Sequence, residues 1–171
     1  AYEFLSNAQK SYKSVANILQ VNEDDVQTKI KNQLETLETY EEKFKKLRNM
    51  EISTLVETIN DHDEKINSHN VYINQVITDS TNELRNLALK IIDETKIDIT
   101  ILFSSINGKN SIVGATKKNI SLDISSIVTQ ISKLYGGGAS KDPNLSIGGG
   151  PNNFDTENAL KIAKETLLKE S

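Results

Sequence analysis

The sequence predicts an α+β fold (mixed α/β), in which an N-terminal, α-helical, coiled-coil-like arm precedes a small globular subdomain. Apolar residues recur every three or four positions over the first third of the chain, as they do on one face of a helix. Beyond residue 70, short runs rich in β-branched residues alternate with helical stretches in the order β-α-β-β-α-β-α. A polar stretch near residues 60–70 separates these patterns, so we predict a helical arm over 1–65 and a globular subdomain over 66–171.

The arm is expected to contain two helices. The first should run from Tyr2 to Leu19, and Asn22 is a plausible N-cap for the second. Apolar residues of the second helix follow one another at spacings typical of a coiled coil and form a narrow seam. The seam consists of Val26, Ile30, Leu34, Leu37, Phe44 and Leu47. This seam could pair with the first helix as an antiparallel hairpin or with another subunit, and periodicity alone does not choose between them.

The first half of the globular subdomain reads as a strand, a helix and a hairpin. Residues 71–77 predict a strand, and Asp79 or Ser80 can cap the helix that follows. Residues 97–105 and 111–116 predict two antiparallel strands, because Asn107-Gly108 between them is a strong hairpin signal.

The second half predicts a helix, a short strand and a last helix. Asp123 can cap the helix, which should end where the run of glycines begins at Gly136. Residues 145–149 predict the strand and residues 154–169 the final amphipathic helix.

The charge of the chain is unevenly distributed. The 171 residues carry a net charge of -4, yet residues 99–141 contain five lysines and one acid, which leaves -8 for the rest. A basic region in an acidic chain is the expected footprint of a polyanion such as nucleic acid, although a solvated lysine face is an equally ordinary explanation. The five candidate lysines are Lys109, Lys117, Lys118, Lys133 and Lys141.

The composition argues against several classes of protein. There are no cysteines and only two histidines, His62 and His69, so neither disulfides nor a zinc site is expected. No apolar run is long enough to span a bilayer, and the first thirty residues lack the apolar centre of a signal peptide. We therefore expect no membrane partner and a cytoplasmic location, and the initial alanine indicates a piece of a longer protein.

Six of the eight glycines fall into two clusters separated by nine residues. Consecutive glycines allow another backbone, a base or a phosphate to approach closely, at an entropic cost that a ligand or tight packing must offset. The spacing matches neither the phosphate-binding loop nor the dinucleotide fingerprint, so both packing and ligand binding stay open. This glycine-rich motif comprises Gly136, Gly137, Gly138, Gly148, Gly149 and Gly150.

The order of a helix ending in three glycines, an Asp142-Pro143 loop, a strand ending in three glycines and a final helix resembles the DHH-associated C-terminal domain. That domain occurs in alanyl-tRNA synthetases, in stand-alone alanyl-tRNA editing proteins and in DHH phosphoesterases. The two predicted helices of residues 1–65 resemble the helical arm that precedes it in alanyl-tRNA synthetases. The resemblance covers nearly the whole chain, and the composition, rich in Ile, Lys and Asn, favours an archaeal member.

The resemblance implies a C-terminal domain that takes no part in catalysis itself but promotes homodimerisation and positions tRNA(Ala) for the aminoacylation and editing centres. The seam residues would then form the dimer interface and the five lysines the tRNA contacts. No catalytic or metal-binding residue is expected in this chain, since the family's zinc-binding and ATP-binding motifs are absent from it. The resemblance implies that ATP, Mg and Zn belong to other domains of the parent ligase, a class II synthetase.

Two other interpretations remain open. The chain could be the nucleotide- or RNA-end-binding terminal domain of a DHH phosphoesterase or editing hydrolase, with glycine amides holding a phosphate, although the long arm argues against this. It could also be a purely structural coiled-coil module whose globular part caps the helices.

Overall fold

The computed structural model describes residues 2–59, 61, 64–151 and 155–169. The chain divides into two compact units, residues 1–51 and residues 52–171. This division lies inside the second helix, whereas the sequence places the subdomain boundary at residues 65 and 66.

The first unit is helical. Helix α1 (Tyr2–Leu19) has the bounds that the apolar periodicity predicts, and α2 (Val26–Ile59) begins in this unit and continues into the next. A 3-10 turn (Glu23–Asp25) precedes α2. The predicted cap is wrong in one respect, because the Asn22 side chain makes no capping hydrogen bond and only its backbone carbonyl accepts from Asp25.

The second unit is built on a six-stranded mixed sheet. Its strands are β1 (Lys65–Ile66), β2 (His69–Gln75), β3 (Ile99–Ile106), β4 (Lys109–Thr116), β5 (Gly138–Ala139) and β6 (Leu145–Gly150), in the spatial order β1-β2-β3-β4-β6-β5. Only β2 and β3 pair in parallel, and α3 (Thr81–Glu94) connects them. The other neighbouring strands are antiparallel.

Helices cover both faces of the sheet. The last turns of α2 and all of α3 pack on one face, where Leu102 and Val113 point toward them. Helices α4 (Ile124–Leu134) and α5 (Thr156–Lys169) pack on the other face against Ile101 and Ile112. Alternate residues of the central strands therefore belong to two apolar layers, as expected for a sheet buried on both sides.

Local signals fix the ends of several elements. The Asn107-Gly108 dipeptide forms the two-residue turn of the predicted antiparallel hairpin, with φ of 51° and 72°. The Ser80 hydroxyl caps α3 by accepting the Glu83 N–H at 3.2 Å. Asp123 caps α4 by accepting the Ser125 N–H at 3.0 Å.

The predicted order β-α-β-β-α-β-α is confirmed, with two short additions. The sequence misses β1 and β5, which contain two residues each and are too short to produce an alternating pattern. Strand β2 ends at Gln75, two residues before the predicted end. Helix α5 begins at Thr156, and the predicted start at Phe154 lies outside the described residues.

Candidate nucleic-acid interface

The two glycine clusters lie side by side in the sheet. Gly138 pairs with Gly149 in the register of β5 and β6, and Ala139 pairs with Gly148. A side chain added at Gly137 would overlap the carbonyl of Gly149. The clusters therefore allow two backbones to approach more closely than any residue with a Cβ permits.

The first cluster also ends α4. Gly136 has a φ of 77°, and its N–H donates to the carbonyl of Lys133 at 3.1 Å. The Gly137 N–H donates to the carbonyl of Ser132 at 2.9 Å, which completes a Schellman-type cap. The amides of Gly136 and Gly137 thus have partners within the fold, and the positive φ of Gly136 and the close packing of Gly137 account for the two glycines.

Ser132 near the end of α4 and Tyr135 directly after it are buried beside the glycines. Burial raises the pKa of the Tyr135 hydroxyl, and the negative charge of Asp155 raises it further. This hydroxyl donates to the carbonyl of Asp155 at 3.4 Å, which links the end of α4 to the start of α5. Within the described ranges, the Ser132 hydroxyl and the Asn110 carboxamide are buried without a hydrogen-bond partner.

The five predicted lysines do not form one patch. Lys109 opens β4 at the hairpin turn, whereas Lys117 follows directly after the last residue of the same strand. Eight residues of extended chain separate these two positions by roughly 25 Å. The register of the sheet therefore places the lysines at opposite ends of β4.

Lys133 lies at the same end of the sheet as Lys109. It lies in the last turn of α4, just before the glycines that lead into β5. Gly138 of β5 pairs with Gly149 of β6, and Gly149 pairs with Ser111, two residues from Lys109. These two lysines therefore share the hairpin end of the sheet.

Lys118 and Lys141 lie at the other end, beside Lys117. The residue after Lys141 is Asp142, whose loop leads into β6, and Leu145 of β6 pairs with Ala115 of β4. The carbonyl of Asn144 also accepts the Thr116 N–H at 3.0 Å. We call the surface formed by Lys117, Lys118 and Lys141 the basic end.

Lys117 is bound within the fold. Its Nζ lies 3.2 Å from Oδ1 of Asp98, and its backbone N–H donates to the Asp98 carbonyl. Burial raises the pKa of Asp98, but the hydrogen bond from the Asn70 N–H, together with the Lys117 hydrogen bond and charge and the nearby His69, lowers it below its ordinary value. Lys117 thus stabilises the fold, a role that its place in a basic run does not reveal.

Lys118 and Lys141 are exposed. In the part of the chain that the structure describes, neither takes part in an ion pair. These two side chains are therefore the cations of the basic end that are available to a polyanion.

The predicted seam on α2 is exposed for most of its length. Val26 is buried and Ile30 is 41% exposed, whereas the exposed fraction of Leu34, Leu37, Phe44 and Leu47 lies between 54% and 61%. Contacts of α1 concentrate at the turn, where the Tyr12 hydroxyl donates to the carbonyl of Glu23. A hairpin that covers the whole seam is therefore not what the first unit forms.

Two further apolar residues extend the seam. Tyr40 lies three positions after Leu37 and four before Phe44, so it fills the gap of seven in the predicted spacing. Tyr40 and Met50 are also exposed. We call the exposed residues the apolar stripe, which consists of Leu34, Leu37, Tyr40, Phe44, Leu47 and Met50.

The described residues contain neither a cluster of metal-ligating side chains nor a membrane-spanning helix. They contain no group of three His, Asp or Glu side chains that could hold a metal ion. None of their helices is both long and apolar enough to cross a membrane. His62 lies outside the described residues.

Comparison with known protein sequences matches the chain to one kind of enzyme. No protein-family model matches the chain. It is 24% identical over 172 residues to alanine–tRNA ligase of Natranaerobius thermophilus, 24% over 166 residues to that of Buchnera aphidicola and 23% over 170 residues to that of Staphylococcus aureus. These alignments cover 99%, 96% and 98% of the chain but 20%, 19% and 19% of the relatives. The chain thus spans about one fifth of the length of the curated relatives it matches.

Comparison of structures indicates a domain of the same enzyme. The C-Ala domain from Aquifex aeolicus alanyl-tRNA synthetase superposes with a TM-score of 0.56 and 25% sequence identity. The superposition covers 62% of this chain and 97% of the C-Ala domain. Sequence and fold therefore agree that the chain is similar to alanine–tRNA ligases and that its fold resembles their C-Ala domain.

Proposed function

We propose that this chain is the part of an alanine–tRNA ligase that dimerises the enzyme and positions tRNA(Ala), without a catalytic role of its own. The relationship to alanine–tRNA ligases over nearly the full chain supports the parent enzyme. Aminoacylation and editing, with their ATP, Mg and Zn, would belong to the other domains of that cytoplasmic enzyme.

The basic end is the main observation that supports the proposal of tRNA binding. Lys118 and Lys141 lie on neighbouring loops beyond the ends of β4 and β5, and neither is neutralised by an ion pair with another described residue. Lysines at such a position contact phosphates, and each contact adds to the salt dependence of binding. No aromatic cluster accompanies them, so we expect recognition mainly of backbone and shape.

The apolar stripe supports homodimerisation. Six large apolar side chains along α2 stay exposed in the single chain, and four of them, Leu37, Tyr40, Phe44 and Leu47, lie on one face and follow the three-four spacing of a coiled coil. Burial of such a face against a second copy contributes roughly 25 cal/mol per Å² of apolar surface. The same face on a partner α2 has the same repeat, so a symmetric interface is possible.

The tRNA proposal is tested with two double variants that remove the same charge from opposite ends of the sheet. We expect K118Q/K141Q to weaken binding of a tRNA(Ala) transcript about tenfold and to reduce the slope of log K against log salt by about two. We expect K109Q/K133Q, the matched control, to change neither quantity appreciably. Fluorescence anisotropy at several salt concentrations measures both.

Equal effects of the two double variants would show that only net charge matters, and no effect of either would remove tRNA binding from these lysines. Both double variants alter exposed side chains, so both should fold normally. Circular dichroism before each titration checks this.

The phosphoesterase or editing-hydrolase interpretation needs glycine amides that are free to hold a phosphate. Two of the amides, those of Gly136 and Gly137, donate within the fold, and the clusters pack against each other. These contacts favour the ligase interpretation.

A further inference from the structure

A groove of about 480 Å³ opens beside the basic end. Its floor is apolar, since Leu89 and Ile92 of α3 line it together with Leu145 at the start of β6. Its rim is polar and includes Lys118, Asp142 and other charged or amide side chains. Both the volume and the combination of an apolar floor with a few polar groups are typical of small-ligand sites.

The wall formed by the loop before β6 is held in place by backbone hydrogen bonds. Oδ1 of Asp142 accepts the N–H groups of Asn144 at 2.9 Å and Leu145 at 3.2 Å. The carbonyl of Asn144 in turn accepts the Thr116 N–H. A groove with fixed walls loses little entropy when a ligand binds.

The residues that follow β4 in the groove are also held in place. Lys117 lines the groove, but it forms an ion pair with Asp98. Its charge is therefore largely neutralised within the fold. Lys118 is the rim cation without an ion pair among the described residues. Asp93, on the exposed side of α3, adds a second carboxylate to the lining beside that of Asp142.

The rim therefore combines one available cation with two carboxylates, above a floor of aliphatic side chains. A bare phosphate would gain from Lys118 but would be repelled by both carboxylates. A nucleotide matches all three features. Its phosphate can pair with a lysine, and its base has a flat apolar face that can lie on the aliphatic floor. Adenine, cytosine and guanine each have an exocyclic amino group that can donate a hydrogen bond to a carboxylate.

We propose that this groove binds a single unstacked nucleotide of the RNA, with its phosphate beside Lys118, its base on the floor of Leu89, Ile92 and Leu145, and its exocyclic amino group on Asp93 or Asp142. The inference deepens the proposed tRNA function and rests on it for the source of the nucleotide. Among the four nucleotides, the one with uracil should bind most weakly, because uracil has no exocyclic amino group.

Solution NMR on the full ¹⁵N-labelled chain tests the site with AMP, CMP, GMP, UMP and ribose 5-phosphate as probes. We expect AMP, CMP and GMP to shift the amides of residues 116–118 and 142–145, with affinities about tenfold above that of UMP, as one hydrogen bond to a charged acceptor would give. Ribose 5-phosphate, which lacks a base, should bind weakest.

Three variants locate the groups. K118Q should weaken AMP binding about threefold or more, while K109Q at the far end of β4 should leave it unchanged. D93N/D142N keeps an oxygen at position 142 for the loop but places amide donors at the rim. We therefore expect it to remove the preference over UMP, whose O4 accepts such donors.

Several results would overturn the inference. Equal binding of ribose 5-phosphate and AMP would mean that the base is not recognised, and equal binding of UMP and AMP would remove the amino-group contact. If tRNA(Ala) affinity depends on Lys118 and Lys141 while no monophosphate shifts these amides, the groove is empty and the proposed function survives. If monophosphates bind with the expected preference but tRNA(Ala) affinity is unchanged by K118Q/K141Q, the groove is a nucleotide site and the proposed tRNA function fails.

Discussion

The helical unit and the globular unit contain the same kinds of apolar residue, but they differ in how far these side chains are buried. In the globular unit, Leu102 is completely buried between the sheet and α3. In the helical unit, Leu37 is 54% exposed, and its neighbours along the apolar stripe are exposed to a similar degree. The globular unit buries most of its large apolar residues within one chain, whereas α2 keeps an apolar stripe exposed. This contrast supports the proposal that the apolar stripe packs against a second copy of the chain.

The sharpest test of the contrast makes the same substitution in both units. Leu102→Ala should lower the free energy of unfolding by about 2–5 kcal/mol, because it removes buried methyl groups and leaves a cavity. Leu37→Ala should change the stability of the monomer by less than about 0.5 kcal/mol, since its side chain is half exposed and alanine is a good helix former. Urea denaturation at low protein concentration measures both values, and similar losses would contradict the contrast.

The glycine clusters offer a second pair of matched variants within the globular unit. A Cβ at Gly137 would overlap the backbone of Gly149, while a Cβ at Gly138 would meet open space. Gly137→Ala should therefore destabilise the chain by about 3 kcal/mol or prevent folding, and Gly138→Ala should cost less than about 1 kcal/mol. Thermal unfolding followed by circular dichroism compares them. A tolerated Gly137→Ala would show that the two backbones are not in close contact.

The ion pair of Lys117 with Asp98 predicts a pH-dependent difference. Asp98→Asn should cost about 1–2 kcal/mol at neutral pH, because it removes a charged, partly buried hydrogen bond. The folded-state pKa of Asp98 lies below its ordinary value of 3.8, so its stabilising contribution is complete above pH 3.8 and is lost as the pH falls through the lower folded value. Urea titrations at pH 7, 4 and 2.5 should show the two proteins converging. A gap that is as large at pH 2.5 as at pH 7 would exclude this pair as its cause.

The smallest predicted effect concerns the cap of α3. Ser80→Ala removes the hydroxyl that accepts the Glu83 N–H and should cost about 1 kcal/mol. Ser80→Asp keeps an acceptor at the N-terminus of the helix and should restore the loss. If alanine and aspartate lose the same stability in thermal unfolding, the cap contributes nothing.

Local chemistry made much of the fold predictable. The Asn107-Gly108 turn and the caps at Ser80 and Asp123 each depend on residues within a few positions of one another. Strands β1 and β5 were not predicted, because two residues cannot show an alternating pattern. Short-range signals thus define where elements begin and end, while their pairing depends on residues far apart in the chain.

The candidate site was less predictable for the same reason. A run of lysines in the sequence indicated one patch, but the register of β4 separates Lys109 from Lys117. The groove is formed by Leu89 and Leu145, which come together only through the pairing of β4 with β6 and the packing of α3. Four of the six residues of the apolar stripe, Leu34, Leu37, Phe44 and Leu47, were in contrast predicted from the sequence, because a single helix contains them.

The measurement that most directly tests the contrast between the units is the molar mass of the chain in solution, by light scattering over a concentration series. We expect a mass that rises toward twice the 19.0 kDa of one chain and a return to the monomer value for Leu34→Asp/Leu37→Asp, with unchanged circular dichroism. A chain that stays at 19.0 kDa throughout the series, or a dimer that survives the double substitution, would contradict the assignment of the apolar stripe as an interface.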